Sequence, residues 1–68
     1  MKIIISDGLG TEKEKEINKD QISGKELLKL LDISLFEAMI MKNNEIVTES
    51  VILTSKDKIK ILNMIHGG

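Results

Sequence analysis

Apolar positions open the chain as an unbroken run: Ile3, Ile4 and Ile5 stand between Lys2 and Ser6, and the run stops at Asp7-Gly8-Leu9-Gly10. A short β-branched run closed by a glycine-rich cluster predicts a strand followed by a turn. Behind that turn, Lys13-Glu14-Lys15-Glu16-Ile17 alternates in charge. By propensity alone this run would suit a short helix as well as a strand. It lacks a helix cap and follows a tight turn, which predicts a second strand hairpinned to the first. Its lysines and glutamates would discourage further pairing at a sheet edge.

The period then changes. Ser23-Gly24-Lys25-Glu26 has the form of a capping box, the serine accepting from first-turn amides and the glutamate reaching back to the serine amide. Leu27, Leu28, Leu30 and Leu31 continue it as an apolar stripe at helical spacing, predicting a helix over 24–31. So short a helix is marginal without a sheet to pack on. From Phe36 the period becomes two. Phe36, Ala38 and Ile40 alternate with Glu37, Met39 and Met41, which predicts a third strand with Ala38 and Ile40 toward the helix. Asn43-Asn44 suits a two-residue turn, because asparagine tolerates positive φ, and Ile46-Val47 is a short return strand. Val51-Ile52-Leu53 reads as a loop or single helical turn closing the core. Lys56-Asp57-Lys58 turns the chain into a final strand, Ile59-Lys60-Ile61-Leu62-Asn63-Met64-Ile65. One helix among these strands implies an α+β fold. The order fits a ubiquitin-like β-grasp: a mixed sheet of four to five strands, one helix packed across one face, and the last strand parallel beside the first. Residues 1–66 form a single domain, and 67–68 a flexible diglycine tail.

Composition narrows the function. With 68 residues there is little room for an enclosed cleft with its own supporting shell, so a self-contained enzyme is disfavoured. The net charge is −1 and Phe36 is the sole aromatic, leaving neither a positive field nor a stacking platform for nucleic acid. Zero cysteine removes disulfides, thiolate metal sites and a cysteine nucleophile, and one histidine, His66, cannot build a structural zinc site. The apolar runs are too short for a membrane span or the core of a signal peptide, which points to a cytoplasmic protein with no membrane partner.

The chain closes on Gly67-Gly68. At average glycine usage that pair falls at a terminus by chance in roughly 0.5% of chains. Two glycines without side chains can enter a slot that would exclude a Cβ, carrying a carboxylate at the end. A carboxylate is unreactive at neutral pH, but adenylation by ATP makes it a mixed anhydride open to attack. Sulfide or a persulfide would yield a thiocarboxylate, and a lysine amine an isopeptide bond. This chain has no phosphate-binding loop, and Gly8-Leu9-Gly10 lacks the rest of a dinucleotide fingerprint. No cofactor is expected on the chain itself; ATP belongs to a partner enzyme.

Several segments resemble a known family. Leu27-Leu28-Lys29-Leu30-Leu31, Asn43-Asn44-Glu45-Ile46-Val47, Lys56-Asp57-Lys58-Ile59-Lys60-Ile61 and Gly67-Gly68 are similar to the ThiS/MoaD-like sulfur carriers among the ubiquitin-like proteins, a layout that archaeal small modifier proteins also share. The hairpin resembles that family's Asn-Gly-Glu-Ile-Val, with Asn44 in place of glycine, and Lys56 stands where a glycine precedes Asp57. The resemblance implies a thiocarboxylate on Gly68, made through an adenylate by a ubiquitin-activating-type adenylyltransferase. It also implies a sulfur donor and a downstream sulfur-accepting enzyme, in thiamine thiazole synthesis, molybdopterin synthesis or tRNA thiolation. Two alternatives stand beside it: a modifier joined to target lysines through Gly68, and a binding module whose tail is never activated.

Strand alternation adds one more expectation. With Ala38 and Ile40 inward and Ile59 and Ile61 inward beside them, Met39, Met41, Leu62 and Met64 form an exposed apolar patch near the tail, suited to more than one partner. His66 is read as a solvated exit residue rather than a general base.

Overall fold

The computed structural model describes residues 1–63; Met64, Ile65, His66, Gly67 and Gly68 lie outside the described residues. Seven strands and one helix follow one another there: β1 (Lys2–Ser6), β2 (Glu12–Glu16), β3 (Gln21–Ser23), α1 (Gly24–Leu30), β4 (Ala38–Lys42), β5 (Glu45–Val47), β6 (Ile52–Thr54) and β7 (Ile59–Asn63). Five of them form a mixed sheet in the order β2-β1-β7-β4-β5. β7 lies at its centre, parallel to β1 and antiparallel to β4, with Ile5 beside Ile61 and Ile40 opposite Ile61. This is the ubiquitin-like β-grasp arrangement.

The alternation of the strands sorts the sheet into two faces. Ile3, Ile40, Ile59 and Ile61 turn inward and are buried against Leu27 and Leu28 of α1, with Ile17, Ile22 and Leu53 closing the same core. β2 sits at the sheet edge with all five residues exposed. It places Glu12, Glu14 and Glu16 on the outer face, paired with Ser6, Ile4 and Lys2 of β1.

The start of α1 depends on close backbone approach. Ser23 Oγ accepts from the Glu26 amide at 3.2 Å, as the capping box requires. The return contact differs from expectation: the Ser23 hydroxyl donates to Glu26 Oε1 at 3.0 Å, because Ser23 is also the last residue of β3, paired with Ile52. The amides of Gly24 and Lys25 donate to the carbonyls of Val51 and Glu49. A Cβ on Gly24 would stand 2.6 Å from Ile40 Cδ1 and 3.1 Å from the Glu49 backbone, so glycine is what lets helix and sheet meet. At the other end Asp32 takes φ 58, and the amides of Asp32 and Ile33 return to Lys29 and Leu28. That is a Schellman stop built without glycine.

Three expectations are corrected. The strand expected from Phe36 begins at Ala38, and Phe36 occupies a turn in which the Glu37 amide reaches the Ser34 carbonyl. Leu30 points outward, because α1 is flat against the sheet only along Leu27 and Leu28. Val51-Ile52-Leu53 is neither loop nor helical turn at its core: Ile52–Thr54 is a strand paired antiparallel with β3 in a separate two-stranded sheet. β3 itself was not foreseen, since three residues carry no readable period. The final strand ends at Asn63 within the described residues, so the expected extension through Met64 and Ile65 lies outside them.

Candidate functional site: the exit end of the central strand

β1 and β7 run parallel and β4 runs against them, so three chain segments converge at one end of the sheet. Ser6 stands beside Leu62, and Ala38 opposite Asn63. The turn from β1 to β2 flanks the end of β7 on one side, and the turn that enters β4 flanks it on the other. Gly67 and Gly68, the expected site of covalent activation, follow Asn63 in the sequence and lie outside the described residues.

Both flanking turns are held by short polar side chains. Asp7 Oδ1 accepts from the amides of Leu9 at 2.7 Å and Thr11 at 3.2 Å, while the Asp7 amide donates to the Thr11 carbonyl. Gly8 and Gly10 supply the positive φ that this turn needs. The amide donors, Leu9 foremost, hold the Asp7 carboxyl below its ordinary range. On the other side Ser34 Oγ accepts from the Phe36 amide at 3.2 Å. Beneath the exit, Ile5, Ser6, Asp7, Thr11, Lys13 and Asn63 line a surface recess of about 290 Å³. Asn63 Oδ1 there is a buried side-chain oxygen with no partner among the described residues.

The expected apolar patch is only partly assembled. Met39 is 44% exposed and lies directly opposite Leu62, which is half-buried. Met41 is half-buried and faces Lys60 on one side and Ile46 on the other. The fourth member, Met64, lies outside the described residues. Lys60 interrupts the row between Ile4 and Met41, and its ammonium reaches across to Glu12 at 2.7 Å. Its stem covers apolar surface while its charge is neutralised at the edge. Two members of this outer face went unnoticed in the sequence: Ile4, hidden within an unbroken isoleucine run, and Ile46, which is 64% exposed. Phe36 and Leu9 were also missed as surface features, being assigned to a strand and a turn.

Among the described residues no group of three or more His, Cys, Asp or Glu could hold a metal ion, and no helix is long and apolar enough to cross a membrane. No family model matches the chain, and no curated protein matches it. Among solved structures, the fold is similar along its whole length to the thiamine biosynthesis protein ThiS from Geobacter metallireducens. The TM-score is 0.63 at 18% identity, covering 100% of each chain.

Proposed function

We propose that this chain is a sulfur-carrier protein, not an enzyme, whose Gly68 carboxylate is adenylated by a separate ubiquitin-activating-type enzyme and converted to a thiocarboxylate. The observation that carries this reading is the end-to-end likeness of the fold to a ThiS protein of thiamine biosynthesis, in a chain that closes on Gly67-Gly68. The central strand β7 ends at Asn63, and the diglycine follows it in the sequence after Met64, Ile65 and His66. The folded body is thereby a handle, and the reacting atom sits beyond it.

The chemistry is a two-step acyl exchange. A Gly68 carboxylate oxygen attacks the α-phosphorus of ATP and pyrophosphate leaves. Hydrosulfide then adds to the carbonyl carbon, AMP leaves with the bonding pair, and the proton goes to solvent. One C–O bond is exchanged for one C–S bond, with no net oxidation. The thiocarboxylate would then serve a sulfur-accepting enzyme of cofactor synthesis (thiamine thiazole or molybdopterin) or of tRNA thiolation. Met39, Met41, Leu62 and Met64 would form the surface that such partners grip, with Ile46 extending it.

The test is intact mass spectrometry of the full chain after incubation with ATP, sulfide and the adenylating enzyme of the same organism. An oxygen-to-sulfur increment localised to Gly68, absent when Gly68 is deleted, is the expected result. Lysine-linked Gly68 adducts without any thiocarboxylate would make the chain a modifier instead. An unchanged terminus under all conditions would leave a binding module.

A further inference from the structure

The two most exposed apolar side chains in the described residues are Phe36, at 98%, and Leu9, at 89%. Isolated exposed hydrophobics are ordinary on protein surfaces. These two are less ordinary for three reasons. A domain of this size has little apolar material to spare for its core, yet its single aromatic stands almost wholly in water. Leu9 lies in the turn that leaves β1 and Phe36 in the turn that enters β4. That puts both at the same end of the sheet on opposite sides of β7, with Met39, 44% exposed, on β4 at the Phe36 side. Each also sits on a turn fixed by its own hydrogen bonds, Leu9 by Asp7 and Phe36 by Ser34, so neither must be ordered on contact.

The covalent geometry says what must stand against them. Five residues follow Asn63, and at full extension they span at most about 18 Å. Any protein that holds the Gly68 carboxylate in an enclosed site is therefore drawn up against this end of the sheet. Resting on the carrier reading above, we propose that Leu9 and Phe36 are a pair of docking prongs that seat in apolar recesses of the adenylating enzyme, on either side of the slot that admits the tail. Burying an aromatic and a leucine removes on the order of 150–250 Å² of surface from water for the ring alone. Gly67-Gly68 has no side chain with which to bind. The prongs supply affinity and hold the slot in line with β7, while Gly67-Gly68 supplies access.

ATP–pyrophosphate exchange by the adenylating enzyme of the same organism tests this with the full chain. Deleting Gly68 should abolish exchange, which checks the carrier reading alone. Leu9→Ser combined with Phe36→Ser should raise the half-saturating carrier concentration at least tenfold, with the maximal exchange rate and the melting temperature unchanged. Leu30→Ser, at an exposed leucine on α1, should leave both kinetic constants as they are. An unaltered half-saturation in the double variant would overturn the prongs while leaving the carrier reading intact, as would an equal loss from Leu30→Ser. Absence of exchange with the wild-type chain would overturn both.

Discussion

Each end of the five-stranded sheet is organised by an aspartate, and the two are built differently. At the end where β7 begins, Asp57 accepts from the Thr54 amide at 2.9 Å, the Thr54 hydroxyl at 3.0 Å and Asn43 Nδ2 at 3.1 Å, with the Lys42 ammonium 3.7 Å away. Asn43 in turn accepts from the Lys58 amide and donates its own amide to the Lys58 carbonyl. Asp57 therefore ties the β4–β5 turn to the loop between β6 and β7, segments 14 residues apart in the chain. At the exit end, Asp7 binds amides only two and four residues on, within its own hairpin. The far end is knitted across elements. The exit end consists of local turns that present apolar side chains outward. The difference teaches that one end of a sheet can be tied across elements distant in sequence while the other keeps its order by bonds within its own turns.

The largest expected effect removes the layer that both ends share. Leu27→Ala should cost about 3 kcal/mol by urea denaturation, since Leu27 is fully buried and its truncation opens a cavity in the core. Amide exchange should then quicken at both ends alike. Gly24→Ala comes next, at about 1–3 kcal/mol, because the new methyl must displace Ile40 and press on the Glu49 backbone.

The two aspartates are the direct contrast. Asp57→Ala should lower the melting temperature more than Asp7→Ala. Its faster amide exchange should appear in both turns that it joins, whereas that of Asp7→Ala stays within residues 7–11. Their pH dependence follows from the same contacts. Asp57 is held below its ordinary value first by the Thr54 amide and then by Asn43, and Asp7 first by the Leu9 amide. A carboxyl whose folded pKa is depressed binds its proton more readily in the unfolded chain. Its stabilisation is complete above the ordinary carboxylate value of about 4 and is lost as pH falls through the lower folded value. Acid unfolding followed by circular dichroism should therefore flatten more in Asp57→Asn than in Asp7→Asn.

The smallest effects are gains. Asp32→Gly should add about 1 kcal/mol by relieving the left-handed backbone at the helix stop. Asn44→Gly, at φ 69, should add less, because asparagine already tolerates that conformation. A loss at either position would mean that the side chain makes a contact the backbone argument ignores.

Sequence alone determined much of this protein where the signal is local. The isoleucine run of β1, the Ser23 cap and the Asn43-Asn44 turn are set by neighbours within a few residues, and they stand where the pattern puts them. The parallel placement of β7 beside β1 also followed, because a two-strand, helix, strand order leaves few chiral ways to close a mixed sheet. Only the tertiary structure decided the rest. β3 and β6 are three residues each and exist because they pair with each other across the chain, a long-range contact without a periodic trace. Phe36 shares its parity with Ala38 and Ile40, yet the Ser34 turn ends the strand register before reaching it and leaves it in water. Lys60 stands between Met41 and Ile4 and reaches Glu12 two strands away, a pairing that periodicity does not encode. Patterns along a chain fix which face a residue takes; which element ends beside it, and what crosses that face, depends on pairings between residues far apart in sequence.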